Sequence, residues 1–244
     1  MKKLWALFIA ALLLAGCASG PDTAALDSRK TELATMPKIE IFYNDKDELV
    51  VMDGGGSSMA GLGGIFGPVG MLFALGADAA SKLTLAERAE ARSKEFSALV
   101  SKSETAQTLN RQFAEELATR IRAGGKEVKV TPVQRIKGDL GSASMPDASF
   151  TAGYAPLVLR ITTGYGAKDA TSSYRPIIVI EQALKRDGQQ KALYQNTFTS
   201  PGDEPNYMAY SSLLERNKEA HDGLRRGMVN AADAIYKSMF VVGQ

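Results

Sequence analysis

Between Ala155 and Ser200 the chain runs through three segments, "APLVLRITTG", "YRPIIVIEQALKRDG" and "KALYQNTFTS", each rich in β-branched or aromatic residues and bounded by turn formers. Such segments predict strands, and three in succession with short links must bury one face of the sheet they make. Asp187-Gly188 in the second link tolerates the positive φ angles of a tight hairpin turn, so the three strands are predicted antiparallel. A cover follows directly. Residues 206 to 240 set Tyr207, Tyr210, Leu214, His221, Leu224, Met228, Ile235 and Met239 on one helical stripe, which predicts a long helix laid over that sheet.

Upstream the pattern alternates. In "KIEIFYN", Ile39, Ile41 and Tyr43 alternate with Lys38, Glu40 and Phe42, and "ELVVMDG" follows; both predict strands. Thr84 with Glu87 and Ser101 with Glu104 match the capping box at a helix start. Ala106, Leu109, Phe113, Leu117 and Ile121 then recur every three or four residues until Gly124-Gly125, after which "KEVKVTPV" predicts another strand. Residues 138 to 153 contain nothing for a core and predict a loop. The sum is an α+β fold in a single domain over residues 37–244: a mainly antiparallel sheet covered by helices, with a glycine-rich apolar insertion at 54–77.

The first residues say where such a domain is held. "MKKLWALFIAALLLAGCASG" has a basic start, an apolar run from Leu4 to Leu14 too short for a comfortable membrane span, and small residues before Cys17. Leu14-Ala15-Gly16-Cys17 resembles the lipobox of bacterial lipoproteins in all four positions. The resemblance implies a signal peptide over 1–16, cleavage between Gly16 and Cys17, a lipid on the Cys17 sulfur and a further acyl chain on the new amino terminus. Several acyl chains give stable anchoring where one does not. Ala18 after the cysteine resembles the outer-membrane sorting signal of Gram-negative lipoproteins, with the domain facing the periplasm; retention at the inner membrane is the weaker implication. Residues 17–36 read as a lipidated tether with a reach of roughly 25 Å. Cys17 is the chain's one cysteine, so no internal disulfide forms.

Residues 54 to 77 hold no charge and nine glycines. As a helix the segment would be about 36 Å long, enough to cross a bilayer core. Gly56, Ala60, Gly63, Gly67, Gly70 and Ala74 alternate at spacings of four and three, a stripe of small residues that lets helices approach closely. The stripe resembles the glycine-zipper segments of envelope and pore-forming proteins. Against it, each glycine weakens a helix and Pro68 kinks or breaks one. Three readings stand: a membrane-associated or self-associating helical hairpin kinked near Pro68, an apolar loop folding onto the domain or a partner, or a buried connection.

Chemistry is harder to find. Lys2 and Lys3 leave with the signal, so the remainder has 27 basic and 27 acidic residues and no electrostatic footprint for nucleic acid. The glycines lack the Gly-Lys-Ser/Thr of a phosphate loop and the third glycine of a dinucleotide fingerprint. His221 is the one histidine and lies on an apolar stripe, which suits a packed side chain better than a base. With no second histidine and no available cysteine, a zinc site is not expected. "GSSMAG" only approximates a nucleophile elbow. Glu115 and Glu116 sit among Arg111, Arg120 and Arg122 as a solvated helix face.

Six tyrosines cluster in the C-terminal half; Tyr165 and Tyr174, flanking the polar loop "GAKDATSS", are the candidate partner-contacting pair, with sheet packing the alternative. The helix, strand and strand pair over 104–199 resemble in pattern the periplasmic domains of curli-secretion-channel and penicillin-binding-protein-activator lipoproteins. Taken together these features imply a non-enzymatic envelope lipoprotein acting as a binding or assembly factor. It would have no cofactor beyond the Cys17 lipid and no small-molecule substrate, and would meet the membrane through its anchor and an envelope protein or itself through its domain. The alternative is an oligomeric membrane-inserting or secretion-assembly component built on 54–77.

Overall fold

A computed structural model describes residues 31–53, 79–103, 107–141, 150–167, 171–187, 189, 191–202 and 204–241. In chain order these form β1 (Lys38–Asn44), β2 (Leu49–Asp53), α1 (Ala79–Ser103), α2 (Leu109–Ala123), β3 (Glu127–Val133), β4 (Ala155–Ala167), β5 (Arg175–Lys185), β6 (Ala192–Pro201), α3 (Tyr210–Glu215) and α4 (Asn217–Phe240). The class is α+β, with a mixed sheet of six strands in the order β3-β1-β4-β5-β6 and β2 also on β4.

The expected meander is present: β4–β5 and β5–β6 are antiparallel and are the longest ladders. The other half of the sheet was not legible beforehand. β1 lies parallel between β3 and β4, and β2 is parallel to β4 as well. β4, at 13 residues, holds β1 along Ala155–Leu159 and β2 along Thr163–Ala167. Parallel neighbours need a crossover, and β2, α1 and α2 supply it between β1 and β3. β1 shows the consequence, since Glu40, Phe42 and Asn44 are as buried as Ile39, Ile41 and Tyr43.

One sheet face carries the helices. Leu109, Phe113, Leu117 and Ile121 of α2 and Leu224, Met228, Ile235 and Met239 of α4 pack on Ile41, Leu157, Leu159, Ile161, Ile178 and Ile180. Each such side chain contributes roughly 1.5–3 kcal/mol by leaving water. At Gly227, α4 comes so near β5 that an added Cβ would lie 2.4 Å from Ile178 Cδ1.

Four boundaries differ from the pattern's expectation. Residues 31–36, expected as the end of the tether, are packed on the domain: 31–35 are helical, Leu33 is 0% exposed, and Lys126 Nζ donates to the carbonyls of Leu33, Ala34 and Met36. Neither capping box starts a helix: Thr84 is inside α1, and Ser101 Oγ in its last turn donates to Ala98 O. α2 starts instead at Thr108, whose hydroxyl accepts from Arg111 N–H, and the Asp47 carboxylate accepts from Leu109 and Asn110 N–H at 2.6 and 2.9 Å. A carboxylate 62 residues away satisfies those amides, which no local motif encodes. The closing helix is two: Tyr207 lies before it in a bridge to Tyr174, and the chain breaks at Arg216 between α3 and α4. Finally, the stretch read as coreless loop buries Leu140 against Phe42, Val158 and Ala183, and Phe150 meets the Phe42 ring edge-on. The insertion at 54–77 lies outside the described residues.

Candidate functional site

The face of the sheet opposite the helices is built on charge. Arg160 of β4 and Glu181 of β5 stand side by side and pair through two bonds of 2.5 Å, both groups buried. Arg160 Nη1 also donates to the carbonyls of Ile136 and Gly138, at 3.0 and 2.7 Å, which ties the segment after β3 across the sheet. Arg135 extends the seam, donating to Ile161 O and Thr162 Oγ1 and pairing with Glu48 at 3.1 Å.

β1 and β3 end side by side at Asn44 and Val133, and Asp45 N–H still donates to Val133 O at 3.1 Å. Beside this end lies a cleft of about 510 Å³ lined by Asn44, Asp45, Lys46, Glu48, Gln134 and Arg135 among others. The carboxyl ends of parallel strands are a common place for such a crevice. Its floor is firmly held: Asn44 Oδ1 accepts from Ile161 N–H at 2.7 Å, and Asn110 Nδ2 donates to Asn44 O and Lys46 O at 3.0 Å each. Burial pushes the Asp47 carboxyl up, and the two amides it accepts pull it back. Arg135 is held down by desolvation with Glu48 opposing. Because Arg135 already spends its donors on Glu48, Thr162 and a carbonyl, the cleft presents a mixed polar wall and no converging charge. Among the described residues no three His, Cys, Asp or Glu side chains gather as a metal site.

Tyr165 and Tyr174 are interior. Tyr165, at 0% exposed, donates through Oη to Ala220 O at 3.0 Å and meets Phe96 and Tyr207 edge-on. Tyr174, at 6%, bonds Arg92 through its hydroxyl and exchanges both backbone bonds with Tyr207. Tyr210 completes the seam, its Oη 2.8 Å from Glu95 Oε2 and its ring under Arg92. The pair expected as a partner surface is therefore the joint between α1, β4 and the approach to α3. Tyr165 follows Leu157, Leu159 and Ile161 in the alternation that points at the helices, and that register decides its direction. His221 is buried at the start of α4, where desolvation, and secondarily Arg225, hold its imidazole below the ordinary value. Glu116 pairs with Arg120 and Glu115 with Arg122 along α2.

What the sequence did not flag is how differently the strand edges are finished. β3 carries Lys129, which lies over the Tyr154 ring, and Pro132, which has no N–H to offer. β2 is covered by α1: Val51 N–H donates to Ser93 Oγ at 2.9 Å and Ser97 Oγ to Leu49 O at 3.4 Å. β6 is not covered by a helix in this way and reaches a proline only at its last residue, Pro201. From Ala192 to Ser200 it contains no charged residue and no proline. Gly202 N–H donates to Pro176 O at 2.9 Å, so by the antiparallel register Tyr194, Asn196, Phe198 and Ser200 face β5 with their backbone groups. Gln195, Thr197 and Thr199 point theirs outward, and all three residues are exposed. Thr197 N–H is taken by the side chain of its own neighbour, Asn196 Oδ1, at 2.9 Å. The nine-residue uncharged run was a signal available in the sequence; that β6 is an edge was not.

Compared with known protein families the chain matches none, and no curated protein is significantly similar to it. Gly16, Cys17 and the stripe of Gly56, Ala60, Gly63, Gly67, Gly70 and Ala74 lie outside the described residues. Among the described residues no helix is long and apolar enough to cross a membrane.

Proposed function

We propose that this protein is a cell-envelope lipoprotein, anchored through Cys17 at the periplasmic face of the outer membrane, that acts by binding as an assembly or accessory factor. The β6 edge is its docking element. One observation carries the reading: β3 carries Lys129 and Pro132 and β2 is covered by α1, whereas β6 turns the backbone of Gln195, Thr197 and Thr199 outward along a run with no charged residue of its own, Gln195 reaching Asp139 through its side chain. Main-chain bonds along such an edge supply affinity for an extended segment. The resemblance of Leu14-Ala15-Gly16-Cys17 to a lipobox supports the anchor.

Two measurements test it. A photo-reactive residue at Gln195 or Thr199 should trap an adduct in intact cells, and one at Glu219 on the outer side of α4 should not; equal trapping at both would end the edge reading. The protein exported through a non-lipoprotein signal with Cys17→Ser should leave the membrane after a high-pH wash. Retention there would favour the alternative, a membrane-inserting assembly built on residues 54–77.

A further inference from the structure

We infer that the occupant of the β6 edge is β6 of a second copy of this chain, paired antiparallel about a two-fold axis at Thr197. This rests on the reading of β6 as docking element and names its partner. In a two-fold pair of antiparallel strands the residue on the axis meets itself, and residues equally far on either side meet each other. With the axis at Thr197, outward Thr197 faces outward Thr197, and outward Gln195 faces outward Thr199, so the N–H and C=O groups that point away from β5 meet their counterparts. The intervening pairs are Asn196 with Phe198 and Tyr194 with Ser200, and none of these pairs opposes charge to charge.

The ends of the strand select the direction and the partner. Exposed Lys191 precedes β6 and exposed Glu204 follows it. Antiparallel pairing brings the basic end of each copy to the acidic end of the other, twice over; parallel pairing would set like ends together. A foreign strand would have to reproduce that neutral run and that end-to-end polarity, which a second copy has by construction of the symmetry. The axis stands perpendicular to the sheet, so both helix layers stay on one side and the sheets join through β6. Until the mate arrives, Asn196 Oδ1 occupies the central outward donor, which keeps the lone edge satisfied and has to be displaced on pairing.

Sedimentation of the full chain carrying Cys17→Ser tests this directly. The protein should show a concentration-dependent dimer. Thr197→Pro removes an N–H that is not part of the β5–β6 ladder, so the fold should persist by circular dichroism and the dimer should be lost. Thr197→Lys and Thr197→Glu each oppose like charges on the axis and should each weaken dimerisation about tenfold or more, and mixing the two should restore it. For register, Thr197→Cys should cross-link to itself, whereas Gln195→Cys and Thr199→Cys should cross-link together more readily than either does alone. A strictly monomeric protein, or a dimer indifferent to Thr197→Pro and Thr197→Lys, overturns the inference. If the protein is monomeric and the photo-reactive edge still traps a different envelope protein, the pairing fails and the docking role stands; if nothing is trapped, both fail.

Discussion

The two outer strands of this sheet received opposite treatments. β3 is short, parallel to its neighbour, and finished with Lys129 and Pro132; β6 is longer, antiparallel, and uncharged from Ala192 to Ser200. Open edges are a standing hazard of aggregation, and a lysine or proline on the strand is the common remedy. On β3 the remedy lies within the strand, and on β6 only at the last residue, Pro201, so the run from Ala192 to Ser200 is left without it. A second contrast runs behind the first. The β3 side is tied down by helix α2 and the Asp47 cap, and the β6 side by a buried ion pair under β5. The β6 side therefore leans on a buried ion pair, and the β3 side on more exposed ones, Lys38–Glu127 and Arg135–Glu48, and on the Asp47 cap.

Removing that ion pair should produce the largest effect. Glu181→Ala leaves the buried Arg160 charge without its counter-ion, and breaking one partner of such a pair costs about 3–5 kcal/mol. Replacing both, Arg160→Met with Glu181→Leu, should cost clearly less. Denaturant midpoints for the single and double variants check this, and equal losses would mean that the pair is not coupled. On the defended side Asp47→Ala should be milder, about 1–2 kcal/mol, the usual loss when a helix's first amides lose their capping acceptor. Hydrogen exchange sharpens the contrast: the first substitution should expose amides of β5 and β6, the second those of α2 and β1. Reversed patterns would undo the division into two halves.

Half of this architecture was legible in the sequence. Strand segments 155–199 announced themselves by β-branched runs and Asp187-Gly188, and the stripe of α4 by its period, since both signals arise within a few residues of one another. Parallel pairing was not legible, because whether Ile39 meets Val128 and Ala155 depends on a crossover of some eighty residues. A separation of 62 residues likewise hid the Asp47 cap. Tyr165 stood between two readings, partner contact and sheet packing, for a related reason: an aromatic residue beside a polar loop suits either, and only the register of β4 with β5 turns that ring toward Phe96 and Tyr207. The docking strand fell between these cases. Its lack of charge is written in the sequence, and its place at the edge is written only in the sheet order.

Gln182 offers a smaller test on the same strand as Glu181. Its side chain points into the helix-covered face, fully buried, with neither amide atom hydrogen-bonded. An unsatisfied buried polar group costs about 1–3 kcal/mol, so Gln182→Met, of similar length, should raise stability by about 1 kcal/mol. Thermal melts of the variant decide it; a loss instead would show that the amide has a partner in solution, and the β6 side would then rest on two polar anchors.

The smallest effect concerns pH. Desolvation, with Arg225 adding repulsion, holds buried His221 below the ordinary value of 6.5. Between the lowered folded value and 6.5 the unfolded chain binds a proton that the native imidazole does not, so stability falls as pH drops through that window. Above 6.5 both states are neutral and the contribution is flat. His221→Leu removes the titration. The stability of the native chain relative to this variant should therefore decline on acidification from pH 7.5 towards 5.5, whereas carboxylates common to both cancel in the difference. A difference that does not move with pH would place His221 in contact with solvent or an acid. Since α4 lies over β5, it would also show that the helix cover on the docking side is looser than that of α2 over β1 and β3.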